Sequence, residues 1–245
     1  MKKSKIREYI ESLLVALVIA FFLRSFVVEA FKIPSGSMIP TLLIGDHIFV
    51  NKFTYGLRIP FTKQWIKKFK TPERGEVVVF IWPVEEDKDF IKRVVGLPGD
   101  TLRIEGDALF VNGEPVNEQK VSVVSPSRQK ARKLVVLGDA IASEAGLRSV
   151  PYYKGWDRFD YFVEELGEVK HLMQIDHYPN TEHREITIPP DHLFVMGDNR
   201  DNSADSREWG FVPMENVKGQ AMFIWLSLDT DDKRVRWERF GKWIR

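Results

Sequence analysis

A serine hydroxyl attacks a carbonyl only when a neighbouring base takes its proton. Three segments of the 245-residue sequence carry residues suited to that chemistry: PSGSMIPTLLIGD from Pro34, DFIKRVVGLPGD from Asp89 and GDNRDNSADSR from Gly197. The usual base is histidine, but none of His47, His171, His177, His183 and His192 stands in a triad motif such as G-x-S-x-G. A lysine can replace it when neutral. Its pKa must then fall from about 10.4 to roughly 7–8, which takes ~4 kcal/mol of desolvation and neighbouring charge. Lys92 has a suitable context, because on a strand it shares a face with apolar Phe90 and Val94. Ser37 lies in a Pro-Ser-Gly-Ser turn whose small residues admit a substrate carbonyl close to the backbone. The Ser37 N–H and the Ser35 hydroxyl could there form an oxyanion hole. On these residues alone bland readings stand beside the chemical one: an ordinary turn, a lysine on a solvated strand edge, a charged surface loop.

The elements that must position these residues are mostly short strands. Phe31–Pro40 holds two prolines and a glycine and is expected to be extended or turning. Strands are predicted at Asp46–Lys52, Glu76–Ile81, Asp89–Val95, Thr101–Ile104, Leu109–Val111, His192–Met196 and Gln220–Leu228. Asn112-Gly113 predicts a hairpin turn. Residues 115–190 are polar, weakly periodic and without a chemical motif, and read as an insertion or small second domain. The pattern as a whole predicts a mainly β fold: an antiparallel β-sheet domain over 30–114 and 191–245, with 115–190 as an inserted cap.

Ahead of that domain, residues 1–8 are basic and Leu13–Leu23 is an unbroken apolar run. A helix from Tyr9 to Val28, within a 9–29 anchor, would be about 30 Å long, roughly one hydrocarbon core. Arg24 near its far end can snorkel to headgroups. The leading lysines place the N-terminus in the cytoplasm. A signal peptide cleaved after Ala30, behind Val28-Glu29-Ala30, is the rival, and a buried core helix the third reading.

Composition narrows the classes. The 36 basic and 35 acidic residues nearly cancel, which gives no sign of nucleic-acid binding. The chain has no cysteine, which excludes disulfide scaffolds, thiol nucleophiles and thiolate metal sites.

Together and in this order, PSGSM-x-PTL, DFIKR-x-VGLPGD and GDNR-x-NS-x-DSR resemble the motif boxes of bacterial type I signal peptidases, over Phe31–Asp100 and Asp191–Leu228. The resemblance implies a membrane-bound serine endopeptidase that removes signal peptides from exported preproteins. Ser37 then matches the nucleophile, Lys92 the general base and Ser35 the hydroxyl that assists the oxyanion hole. Ser203 matches a serine that orients the lysine, Asp205 and Arg207 a structural ion pair, and Asp198 and Asn199 the same tight loop. Small residues at substrate positions −1 and −3 would enter shallow pockets at Phe31, Ile33, Met38, Leu42, Ile48, Val79, Phe90 and Ile91. The family needs no metal or organic cofactor. Its members lie in the bacterial plasma membrane with the catalytic domain on the outer face. Some have two spans where this chain shows one candidate, and some a cap disulfide that this chain cannot form. The rivals are another Ser/Lys protease, self-cleaving or pilus-maturing, and a membrane-tethered binding protein that keeps the fold without the chemistry.

Three features outside the motifs remain. Asn51–Lys70 interleaves Phe53, Tyr55, Phe61, Trp65 and Phe69 with cations, as at a bilayer interface. The tail from Arg234 is expected to pack Trp237 and Phe240 on the sheet. His171, His177 and His183 are expected to be solvated loop histidines rather than metal ligands.

Overall fold

The computed structural model describes residues 5–59, 62–124, 133–137, 149–176 and 183–245. Helix α1 (Lys5–Phe22) widens into a π turn over Leu23–Val27 and passes directly into strand β1 (Val28–Lys32). Glu8–Val27 is long and apolar enough to cross a membrane, with a mean hydropathy of 2.2. Leu13, Val18 and Phe21 are each more than half exposed, so the buried-core-helix reading is not realised. Among the described residues the helix packs mainly on its own π turn, where Phe22 and Phe26 lie 5.0 Å apart.

After β1 come β2 (Asp46–Asn51), β3 (Gly56–Arg58), β4 (Trp65–Lys68), β5 (Val77–Ile81) and β6 (Asp89–Gly96). Then follow β7 (Thr101–Glu105), β8 (Ala108–Val111), β9 (Glu114–Pro115), β10 (Glu118–Val124), β11 (Lys133–Leu137) and β12 (Ser149–Pro151). The chain continues through β13 (Phe159–Leu166), β14 (Val169–Asp176), β15 (His183–Thr187) and β16 (His192–Met196). It closes with a one-turn helix α2 (Ser206–Trp209), β17 (Val212–Pro213), β18 (Val217–Asp229) and β19 (Arg234–Val235). The protein is mainly β, as expected.

The principal sheet is antiparallel and runs β1-β2-β18-β5-β6-β16-β17, with β19 on β18. Alternation along its strands loads both faces. Val77 and Val79 of β5 join Ile33, Met38 and Ile48 in one core, while Val78 and Phe80 join Val94 and Val195 in another. Each such buried aliphatic or aromatic side chain contributes about 1.5–3 kcal/mol. A sheet covered on both sides leaves little freedom of register, since a one-residue slip would exchange the two cores.

Strands β10 to β14 form a second sheet, β12-β11-β10-β13-β14, around Val121, Val136, Phe159, Tyr161, Val163 and Leu172. The remainder of the expected insertion behaves differently: β15 returns to pair with β7 in a four-stranded sheet, β15-β7-β8-β9. Asn112 and Gly113 make the β8–β9 turn with φ of 53° and 86°, as an Asn-Gly hairpin requires.

The tail overturns one expectation. Trp237 and Phe240 are 72% and 66% exposed. Trp237–Arg239 forms a 3₁₀ turn in which residues three apart share a face. Its inward side is taken by Arg239, which is buried against Asp46, so Trp237 and Phe240 both point out. The tail still joins the sheet through backbone bonds from Gly241 and Ile244 to Ile224 and Met222. The β3–β4 hairpin exposes Phe53, Ile66 and Phe69 but buries Tyr55, whose hydroxyl donates to Glu76 at 2.7 Å. Phe61 lies outside the described residues.

Candidate active site

Strand β6 sets out two cations side by side. Register pairs Lys92 with Val78 and Arg93 with Val77, so the two side chains leave opposite faces of the sheet. On the Lys92 side the amine stands 5.6 Å from the centre of the Phe90 ring, and it is 4% exposed. Lys92 Nζ donates to Ser37 Oγ at 2.5 Å. Ser37 is itself buried, in the turn between β1 and β2. Burial pushes the Lys92 amine down to about 8, against the opposing pull of Asp205 and Asp198. A buried amine that titrates near 8 and touches a serine hydroxyl can act as a general base in acyl transfer.

The Ser37 turn is held from both sides by one residue. Asn199 N–H donates to the Ser37 carbonyl at 3.0 Å, and Asn199 Nδ2 donates to the Gly36 carbonyl at 3.0 Å. Gly197 fits against the same turn because it lacks a side chain: a Cβ there would lie 2.4 Å from the Ser37 carbonyl oxygen and 2.3 Å from Ser203 Oγ. The Ser203 hydroxyl is buried, near the Asp205 carboxylate but with no hydrogen bond to Lys92. Ser35 is exposed at the mouth of the turn.

A model of the family described as signal peptidase, peptidase S26, matches residues 6–226, which include all of these positions. The chain belongs to that family. It is therefore a serine peptidase, a hydrolase, of the group that removes signal peptides. A signal peptidase I of Pseudomonas aeruginosa is 41% identical over 92% of this chain and 74% of its own length. One from Pseudomonas fluorescens is 39% identical over 92% and 74%, and one from Buchnera aphidicola of Schizaphis graminum 35% over 95% and 80%. Among solved structures, a signal peptidase I from Enterococcus faecalis V583 matches at 24% identity over 62% of this chain and 98% of that one, with a TM-score of 0.32.

Around the pair, this S26 peptidase spends its charged residues on position. Asp205 caps α2 by accepting from the Arg207 backbone and binds Arg207 Nε and Nη2, each at 2.9 Å. Its second oxygen also accepts from Gly197 N–H at 3.0 Å. Burial alone would raise its pKa, but Arg207 and the Gly197 amide hold the carboxyl below its usual range. Asp198 is fully buried and accepts from Arg93 Nε at 2.8 Å and Nη2 at 2.6 Å, with the Thr41 hydroxyl as a further donor. The pairing outweighs its desolvation, so Asp198 stays ionised.

The expected pocket residues divide. Ile33, Met38, Leu42, Ile48 and Val79 share one buried cluster, with half-buried Phe31 and Ile91 packed on it. Phe90 stands apart, stacked on Trp82 at 4.8 Å.

One expectation fails outright. His171 is not a solvated loop histidine. It lies on β14, 2% exposed, with Nε2 3.1 Å from Glu164 and 3.5 Å from Asp198. His183 is exposed on β15, and His177 lies outside the described residues. Sequence reasoning also passed over Arg93, Thr41, Glu164, Gln174 and Arg200, all of which pack around Asp198 or its loop. The available signal was HLMQI at 171–175: a polar residue inside an apolar strand run must find a partner.

Proposed function

We propose that this peptidase cuts signal peptides from exported preproteins with Ser37 as nucleophile and Lys92 as general base. The observation that carries the reading is the 2.5 Å contact between Lys92 Nζ and Ser37 Oγ, both buried. Neutral Lys92 takes the Ser37 proton as Oγ bonds to the carbonyl carbon of the −1 residue. Charge then collects on the carbonyl oxygen, beside the Ser37 N–H and the Ser35 hydroxyl. The Lys92 ammonium returns its proton to the departing amine nitrogen as the C–N bond breaks. Lys92 next takes a proton from water, whose oxygen attacks the ester carbonyl; the ammonium then returns that proton to Ser37 Oγ as the ester C–O bond breaks, which frees the signal peptide and restores neutral Lys92.

Ser203, buried near Asp205 and Arg207, is the serine that would orient the amine once its hydroxyl turns to Lys92, while Asp198 and Asn199 hold the loop. The cluster of Ile33, Met38, Leu42, Ile48 and Val79, rimmed by Phe31 and Ile91, admits only small side chains at −1 and −3; Phe90 sits beside the amine. An extended substrate pairs with neighbouring strand backbone.

The helix is a retained single-pass anchor in the plasma membrane, with a cytoplasmic N-terminus and the catalytic domain on the outer face. Cleavage after Ala30 would cut inside β1, where Ala30 pairs with Phe49. The β3–β4 hairpin is the second bilayer contact. Its root sits at the helix exit, where Lys52 N–H donates to the Val27 carbonyl at 2.9 Å, and it exposes Phe53, Ile66 and Phe69 beside Lys67 and Lys68.

The test is cleavage of a purified precursor with the product N-termini read. Ser37→Ala and Lys92→Met are each expected to lower the rate at least ~10³-fold while the protein stays folded. Wild-type cleavage by either variant would reject the reading. Precursor that is bound equally by wild type and Ser37→Ala but cleaved by neither would favour the binding-protein rival.

A further inference from the structure

The second sheet reaches the site through a buried polar network that the reaction steps do not use. Glu164 of β13 is 0% exposed, and Arg200 Nη2 donates to its Oε2 at 2.5 Å. His171 of β14 stands against the same oxygen and against Asp198. Burial would push the Glu164 carboxyl up, but Arg200 and His171 hold it below the ordinary range. Burial, then Arg93, push His171 down, which keeps its imidazole neutral. Arg93 and Arg200 thus face Asp198 and Glu164, with the Glu118 carboxyl beside Arg200 pushed up to about 7 by burial and by Glu164.

The backbone follows the same route. Gln174 N–H donates to the Asp198 carbonyl at 2.9 Å, and Gln174 and Asn199 form a parallel bridge. Asp176 N–H donates to Asp201 Oδ2 at 2.7 Å. The β13–β14 turn is seated on Gly75, where a Cβ would meet Val169 Cβ at 2.6 Å and the Leu166 carbonyl at 2.7 Å. The Gly75 carbonyl in turn accepts from Arg93 Nη1 at 2.7 Å. Strand β14 thus touches the loop whose next residue, Asn199, grips both carbonyls that flank the Ser37 amide.

Peptide planarity gives that grip a consequence. In a trans peptide the carbonyl and the following N–H point in opposite directions. The Gly36 carbonyl and the Ser37 N–H belong to one such unit. Fixing the carbonyl on Asn199 Nδ2 fixes the direction of the N–H, which no described residue accepts.

We infer that the second sheet is a positioning element of the hydrolytic site: Glu164 and His171, through Arg200, Asp198 and Asn199, aim the Ser37 N–H at the substrate carbonyl. This rests on the assignment of Ser37 as nucleophile. Neither Glu164 nor His171 touches substrate, so the effect falls on a transition-state interaction and not on binding.

The experiment uses the full chain in detergent and a synthetic peptide with alanine at −1 and −3. Glu164→Gln keeps the shape and removes the charge. It is expected to lower kcat about ten-fold with KM within about two-fold, at a temperature well below its Tm. His171→Gln is the second variant, expected to give a smaller kcat loss with the same split. Lys120→Ala, at an exposed ion pair with Asp160 in the same sheet, controls for the sheet surface and leaves both constants unchanged. The concentration of competent sites, counted by a serine-directed acylating agent, is expected to stay at the wild-type value. Unchanged kcat in both variants overturns the inference. So does a loss that matches a fall in competent sites, which is misfolding. Should Glu164→Gln not fold, His171→Gln decides alone. Ser37→Ala separates the two levels. If it is active, the assignment of the nucleophile fails; if it is inactive while both network variants match wild type, only the positioning role fails.

Discussion

Lys92 and Arg93 are neighbours on one strand, both under 5% exposed, and their surroundings are opposite. Arg93 receives a two-pronged carboxylate from Asp198 and a backbone carbonyl from Gly75. Lys92 receives a serine hydroxyl and an aromatic face, with its nearest carboxylates engaged elsewhere: Asp198 by Arg93 and Asp205 by Arg207. Burial alone therefore does not make a base. Burial with the counterion withheld lowers a pKa, and burial with the counterion supplied fixes a charge in place. The side of the strand decides which fate each cation meets.

The comparison breaks most visibly at Asp198. Asp198→Asn keeps the shape but leaves Arg93 charged, buried and unpaired, at a cost of roughly 3–5 kcal/mol. Denaturant unfolding of the variant should show that loss, together with loss of activity. Near-wild-type stability would mean that Arg93 is not held by this carboxylate.

Lys92→Met should act in the opposite direction on stability. The amine titrates at about 8 in the folded chain and at 10.5 unfolded. Below pH 8 the folded state carries a desolvated ammonium, a cost of up to about 3 kcal/mol that Met does not incur. From pH 8 to 10.5 the unfolded chain binds the extra proton, so this group makes wild-type stability rise with pH. Lys92→Met should thus be inactive, more stable than wild type at pH 6–7, and free of that rise. A Tm at pH 6–7 no higher than wild type would contradict the account of its burial.

Two smaller changes sharpen the contrast. Gly75 has φ of 89°, so Gly75→Ala costs about 1–2 kcal/mol in backbone strain even before it displaces Leu166 and Val169. It disturbs the Arg93 side, so stability should fall while the titration of Lys92 holds near 8. Asp205→Asn works on the other side. Asp205 favours the Lys92 ammonium, so removing its charge should move the limb of kcat/KM against pH to lower pH. A limb moved upward would reverse the sign assigned to that carboxylate.

The legibility of the molecule follows the range of its interactions. The strands carrying Ile48, Val79, Lys92 and Val195 could be read locally, because period-two alternation and Gly/Pro turns are local signals. The face of Lys92 was predictable from Phe90 and Val94, and Val78 opposite confirms the register. Glu164 and His171 face each other across the β13–β14 hairpin, but their partners Arg200 and Asp198 lie 36 and 27 residues away across a sheet boundary, where no spacing rule connects them. Trp237 and Phe240 misled for a related reason: amphipathic composition does not reveal that Arg239 takes the inward position in a short 3₁₀ turn by pairing with Asp46.

The most direct test is the titration of the Lys92 amine in the folded protein, followed by NMR of lysine labelled at Cε and Nζ. One resonance, absent from Lys92→Met, should titrate near pH 8, and kcat/KM should rise with pH along the same curve. If every lysine titrates above 10, or the signal near 8 persists in Lys92→Met, the account is wrong.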